Sequence, residues 1–167
     1  DSIVSAIAAA DAWSRFRGVD AKPAAQGEIN PESRFVLEKF GLPAPELKVS
    51  YAGEQVCLVD HSDLAQSPDD LKEAEIMGIV DHHKLGDVTT SNPLEIWVWP
   101  VGCTCTVLYN IYKFAGLEIP KGIAGAMLCA ILSDTVMFKS VTCTDYDKQA
   151  VEDLAKIAGV DDYMALG

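Results

Sequence analysis

Two stretches of this chain share one form: Gln55-Val56-Cys57-Leu58-Val59-Asp60 and Ile76-Met77-Gly78-Ile79-Val80-Asp81 each contain a short continuous apolar run closed by an acid. An apolar run without alternation is how a strand reads when both of its faces are covered, as in parallel sheets packed between layers. Each run therefore delivers a carboxylate to a strand's C-terminal end, the edge at which open parallel sheets form their crevices. Between the two, Ser67-Pro68-Asp69-Asp70 is a helix-start signal leading into Leu71 to Glu75. Two strand, acid, helix units in succession predict an α/β fold, a mainly parallel sheet flanked by helices.

The remaining pattern fits that frame. Ile3, Ala6, Ile7, Ala10 and Trp13 fall at helical spacing between Ser2 and Phe16, with Gly18 as a stop. Val19 to Ala25 is read as a short strand, Asn30-Pro31 as the start of a helix through Phe40, and Glu46 to Glu54 as polar connection. Ile96 to Trp99 is a further strand, read either as an edge strand covered by a second copy, because two alternating Trp side chains are costly to leave in water, or as a strand whose Trp side chains pack on this domain's own helices. Helices are predicted from Thr104 to Phe114, from Lys121 to Asp134 and from Asp145 to Ala158. No strand precedes the first helix, so the sheet is expected to lack its first strand. Residues 159–167 read as the start of a linker after a domain spanning 1–158, and the chain as an internal piece of a longer protein.

Charge narrows the partners. Lys and Arg number 13 against 25 Asp and Glu, a net charge of −12, which disfavours counterion-release binding to a long nucleic-acid backbone. A small polyanion remains admissible, because divalent cations held by carboxylates reverse the local sign. No apolar window reaches the roughly 18 residues of a membrane span and no leader pattern is visible, so a cytoplasmic protein without a membrane is expected. The five cysteines form no C-x-x-C pair and read as small buried residues rather than as a disulfide framework.

All three histidines stand beside an acid, in Asp60-His61 and Asp81-His82-His83. Imidazole together with carboxylate suits Mn, Co, Fe or Zn better than Mg alone. Asp134 ends an otherwise apolar helix, where the C-terminal dipole repels negative charge and a cation would compensate. Singly, Asp60 serves as well as a turn cap, Asp134 as the start of a loop, and the His pair as a cap beside a solvated ring. Their coincidence favours a metal site.

Val59-Asp60-His61, Val80-Asp81-His82-His83, Pro100-Val101-Gly102-Cys103-Thr104, Leu132-Ser133-Asp134 and Phe138-Lys139-Ser140-Val141-Thr142-Cys143-Thr144 resemble the ordered motifs of DHH phosphoesterases, specifically the manganese-dependent (family II) inorganic pyrophosphatases. Ser62 stands where that pattern has Asn, and Val141 where it has Pro. The resemblance implies hydrolysis of pyrophosphate to two phosphates by in-line attack of a metal-bridging hydroxide, with Mn2+ or Co2+ as cofactor and Mg2+ as an additional ion. It implies Asp1, Asp60, His82 and Asp134 as metal ligands, with Asp60 bridging, and His83 as the catalytic group facing phosphate. Asp81 would stand behind the ligands and orient its neighbours, His61 would do the same or serve structurally, and homodimers would form through this domain. The family's C-terminal domain, which clamps pyrophosphate, is not in the chain, so weak or no activity is expected of these residues alone. The rivals are a DHH-type phosphodiesterase for short oligonucleotides or cyclic dinucleotides and a non-catalytic metal-binding regulatory domain; the motifs from Gly102 to Thr144 favour pyrophosphate.

Overall fold

The computed structural model describes residues 1–166; Gly167, the last residue of the expected linker, lies outside the described residues. In chain order the elements are α1 (Ser2–Arg17), β1 (Ala24–Ala25), α2 (Pro31–Lys39), β2 (Glu46–Leu47), β3 (Gln55–Val59), β4 (Glu75–Asp81), β5 (Glu95–Val98), α3 (Thr104–Ala115), α4 (Lys121–Asp134) and α5 (Asp145–Ala158). Strands β3, β4 and β5 form a parallel sheet in that order, and β1 pairs with β2, also in parallel. Helices flank the sheet, as an α/β fold requires.

Both faces of the central sheet are covered, which is why its strands read as unbroken apolar runs. On one face Val80 joins the main core of α1, α3, α4 and α5, whose fully buried members include Tyr112, Leu108, Met127, Ile131 and Leu154. On the other, Leu58, Ile76 and Ile79 pack with Leu71 in a smaller cluster. Helix α4 is apolar on nearly every side because it lies in the middle of the main core. It accepts a ring against its backbone at Gly125, where an added Cβ would come within 2.2 Å of Phe40.

Register sets the strand ends level. Val59 lies opposite Val80, and Asp81 opposite Val98. The ladder continues one step past β3 and β5, with Asp60 N–H donating to the Val80 carbonyl at 2.9 Å and Trp99 N–H to the Asp81 carbonyl at 3.2 Å. The segments after β3, β4 and β5 consequently leave the sheet at one edge.

Several expectations are corrected. The helix expected from Pro68 is only a 3-10 turn, Leu71–Glu73, with another at Leu64–Gln66. The reason is that β4 begins at Glu75, and Asp70 serves a different purpose from helix capping. Its Oδ2 accepts from Ser50 Oγ at 2.7 Å, Tyr51 N–H at 2.9 Å and Ala52 N–H at 3.1 Å. The strand expected over Val19 to Ala25 shrinks to Ala24–Ala25, and its partner, Glu46–Leu47, lies inside the segment read as mere connection. Of the two readings of Ile96 to Trp99, both features occur: β5 is an edge strand, and the two Trp side chains pack on the domain's own helices, Trp97 meeting Phe114 at 5.3 Å between ring centroids and Trp99 meeting Tyr146 at 5.8 Å. Val160, Tyr163 and Leu166 pack against the main core. All five cysteines are free, and among the described residues no helix is long and apolar enough to cross a membrane.

The Asp70 clip carries a pH dependence. The Ser50 hydroxyl first, then the two backbone donors, hold its carboxyl below the ordinary range. A folded-state carboxyl more acidic than the unfolded one contributes stability that is complete above the unfolded value of about 3.9 and is lost as pH falls through the lower folded value. Asp70→Asn is therefore expected to lower the melting temperature at neutral pH, with the gap closing toward pH 2. A gap of equal size in thermal melts at both pH values contradicts this.

Candidate metal centre

Asp60 follows β3 in a left-handed conformation, with φ of 65°, which Asp tolerates better than most residues. Asp81 closes β4, and His82 and His83 leave the sheet beside it. The segment after β5 supplies Val101 and Thr104 at the entry to α3, Asp1 stands at the N-cap of α1, and Asp134 is the last residue of α4.

These elements meet around one atom. His82 Nε2 lies 3.7 Å from Asp1 Oδ2, 3.5 Å from Asp60 Oδ1 and 3.6 Å from Asp134 Oδ2. Donor atoms of Asp1, His82 and Asp134 lie within 4.8 Å of one another, as do those of Asp60, His82 and His83, so His82 is common to both groups. Separations of this size are long for hydrogen bonds, yet they suit N and O donors sharing one ion at about 2.1 Å. The tautomer suits as well. His82 Nδ1 lies 2.9 Å from the Val101 carbonyl, which can only accept, so Nδ1 carries the proton and Nε2 presents a lone pair. Three carboxylates with imidazole nitrogen form a donor set that fits a borderline divalent ion such as Mn2+.

Electrostatics follows from this crowding. Burial works against charge on Asp60, but the facing His82 ring and the Thr104 hydroxyl outweigh it and hold the carboxyl below its ordinary value. Burial dominates at Asp134 and pushes its carboxyl up. Burial also opposes charge on His82, yet Asp60, the Val101 carbonyl and Asp134 together raise its imidazole above the ordinary value. The cluster favours positive charge at its centre.

Asp81 is buried, and its Oδ1 accepts from His82 N–H at 2.8 Å, His83 N–H at 3.2 Å and His83 Nδ1 at 2.7 Å. It anchors the ring of the more exposed His83 through Nδ1 and the main chain of both histidines, while the His82 ring is held by the Val101 carbonyl. His61 is engaged elsewhere: Nδ1 lies 3.0 Å from the Val59 carbonyl and Nε2 3.1 Å from Ser67 Oγ. It braces the segment after β3 and belongs to neither donor group.

Three features were not anticipated. Val136, Met137 and Phe138 form a left-handed turn, with φ of 49°, 54° and 68°, one residue beyond Asp134. Such backbone is costly for β-branched and bulky residues. It is held by Met137 N–H on the Leu132 carbonyl at 2.8 Å, Ser140 N–H on the Thr135 carbonyl at 2.8 Å and Phe138 N–H on Thr135 Oγ1 at 3.2 Å. Secondly, Thr104 touches two of the carboxylates, its N–H donating to Asp1 Oδ2 at 2.9 Å and its hydroxyl to Asp60 Oδ1 at 3.0 Å. Thirdly, the buried Asp147 ties α5 to the segment before α3, accepting from Gly102 N–H at 2.9 Å and Thr106 Oγ1 at 2.6 Å. A Thr at a helix start and an Asp three residues after Thr144 are visible in the sequence, but their partners are not.

A carboxylate and imidazole cluster at the C-terminal edge of a parallel sheet is the kind of donor set that holds a divalent ion. Residues 1–131 match the family model described as DHH family, N-terminal domain, and the chain belongs to that family. Within it, the chain is similar to the protein of Archaeoglobus fulgidus named "Probable manganese-dependent inorganic pyrophosphatase", at 49% identity over 100% of this chain and 55% of that protein. It is 45% identical to the "Manganese-dependent inorganic pyrophosphatase" of Methanothrix thermoacetophila, over 96% of this chain and 52% of that one. A crystal structure described as "Methanococcus jannaschii putative family II inorganic pyrophosphatase" superposes with a TM-score of 0.86 at 44% identity, covering 97% of this chain and 54% of that one. The chain spans about half the length of the curated relatives it matches.

Proposed function

We propose that this chain is the metal-binding half of a manganese-dependent inorganic pyrophosphatase, and that Asp1, Asp60, His82 and Asp134 hold its metal. The observation that carries the reading is His82 Nε2 standing 3.5–3.7 Å from three carboxylates. The names of the similar proteins support it, since each names a pyrophosphatase and about half of each aligns with this chain. A divalent ion bound there supplies Lewis acidity toward phosphate oxygens and acidifies bound water. Co2+ substitutes for Mn2+ on the same donor set, and Mg2+ acts as an additional ion near phosphate.

His83 is the proposed catalytic residue. Asp81 holds the proton on its Nδ1, so Nε2 is the atom that takes up or returns a proton at the phosphate. Asp60, Asp1 and Asp134 contribute charge and orientation without offering a competing nucleophile to solvent. Pyrophosphate is the substrate, and nucleic acid is not. In the full-length protein with Mn2+, phosphate is expected to be released from pyrophosphate faster than from a dinucleotide. His83→Gln is expected to lower kcat by about 100-fold while Mn2+ affinity stays within a small factor. Faster cleavage of the dinucleotide overturns the substrate; equal loss of Mn2+ affinity overturns the role of His83.

The same reading includes a homodimer through the outer edge of β5. Its support is Ile96, 50% exposed on that edge strand, beside exposed Met77 and Phe114. Sedimentation is expected to report a dimer for the parent and a monomer for Ile96→Lys; a monomeric parent contradicts it. The cytoplasm, where biosynthesis releases pyrophosphate, is the proposed location, and recovery of the protein with membranes on cell fractionation contradicts that.

A further inference from the structure

The segment Val101 to Thr104 reaches the cluster at more than one point. The Val101 carbonyl accepts from His82 Nδ1 at 2.9 Å, and Thr104, the first residue of α3, is wholly buried and gives both of its donors to carboxylates. Its main-chain N–H is one of the groups that no helical carbonyl can satisfy, and it meets Asp1 Oδ2 at 2.9 Å. Its hydroxyl meets Asp60 Oδ1 at 3.0 Å. These are the same two oxygens that lie 3.7 Å and 3.5 Å from His82 Nε2.

That coincidence of atoms has a geometric consequence. A carboxylate oxygen has two lone-pair directions. Where Thr104 occupies one, the oxygen's remaining direction is constrained, and the carboxylate can no longer rotate freely about its last bond. Asp1 comes from the start of α1 and Asp60 from the end of β3, so they share no covalent frame that would fix their mutual orientation. Thr104 is a single residue in contact with both. Its own position is rigid: Cys103 and Cys105 on either side are wholly buried, and Asp147 holds Gly102 N–H at 2.9 Å and Thr106 Oγ1 at 2.6 Å.

We propose that Thr104 is a positioning residue of the metal centre, its N–H presetting Asp1 and its hydroxyl presetting Asp60 so that both face His82, and that the hydroxyl's hold on Asp60 sets the centre's affinity for a divalent ion. The inference rests on the metal-binding reading above and adds to it a residue outside the donor groups. Partners that orient metal ligands without touching the ion contribute about 10–100-fold to affinity.

The test is a calorimetric titration of Mn2+ into the parent chain, Thr104→Val and Thr104→Ser, with thermal melts of the metal-free proteins to establish folding. Valine keeps the shape and the main-chain N–H but lacks the hydroxyl, whereas serine keeps the hydroxyl. Thr104→Val is expected to weaken Mn2+ binding by about 10–100-fold, and Thr104→Ser to stay within about threefold of the parent. A general loss of packing would not be rescued by the smaller serine. If Thr104→Val does not melt cooperatively, Thr104→Ala against Thr104→Ser isolates the same hydroxyl, with the same difference expected. Parent-like affinity in Thr104→Val, or in Thr104→Ala where it replaces it, overturns the role of Thr104 and leaves the metal centre standing. Equal weakening in Thr104→Ser also overturns it. A parent chain that binds no Mn2+ overturns the centre and the role together.

Discussion

His82→Ala is expected to remove measurable Mn2+ binding. Its Nε2 is the one atom that lies 3.5–3.7 Å from all three carboxylates, so its loss removes the donor around which they are arranged. It is also the only nitrogen in the group with Asp1 and Asp134, and without it that group contains only carboxylates. Two effects add. The ion loses a donor whose tautomer is preset by the Val101 carbonyl, and the three carboxylates lose the group that separates them. The affinity loss should exceed the roughly 10–100-fold that follows removal of an outer partner. Calorimetry with Mn2+ on the parent and His82→Ala checks this; a dissociation constant within tenfold of the parent's contradicts the arrangement.

Asp147→Ala is expected to destabilise the fold by about 3–5 kcal/mol, because it leaves buried donors without acceptors at a cost of about 1–3 kcal/mol each and removes a helix cap. The carboxylate is wholly buried, and its Oδ2 accepts from Thr144 N–H at 2.7 Å and Thr144 Oγ1 at 2.8 Å as well as from Gly102 N–H. Gly102 leaves no space to compensate, since a Cβ there would stand 2.6 Å from Thr135 Cγ2 and 3.0 Å from Asp147 Oδ2. In a chain of this length the change corresponds to a fall in melting temperature of roughly 10 °C. Asp145→Ala serves as the comparison: that carboxylate is fully exposed, and its pairing with Lys148 at 3.7 Å is a surface contact of little weight. Urea unfolding with equal midpoints for the two variants contradicts the assignment.

Part of the candidate site was legible in the sequence, and the reason is local. Asp60 and Asp81 follow apolar runs whose burial is set within five or six residues, so a strand with an acid at its end can be read directly. The same holds for α2, where Asn30 accepts from Ser33 N–H at 2.7 Å ahead of Pro31. The placement of Asp1 and Asp134 beside His82 was not of this kind. It came from the resemblance of motifs, because no spacing rule brings the first residue, the end of β4 and the end of α4 together.

What the sequence determined by itself is therefore the α/β class, the principal helices and central strands, and the acid and imidazole residues delivered to strand ends, all of which depend on side-chain periodicity over a few residues. Tertiary structure alone decided the rest. Leu71–Glu73 became a tight turn because Asp70 was drawn to the backbone of Tyr51 and Ala52, and Ala24–Ala25 became a strand because Glu46–Leu47 lay beside it. His61 was diverted from the cluster by Val59 and Ser67, while Thr104 was brought to carboxylates 103 and 44 residues away. Hydrogen bonds between distant segments act only once the core has closed, and no local pattern of residues encodes which donor will meet which acceptor.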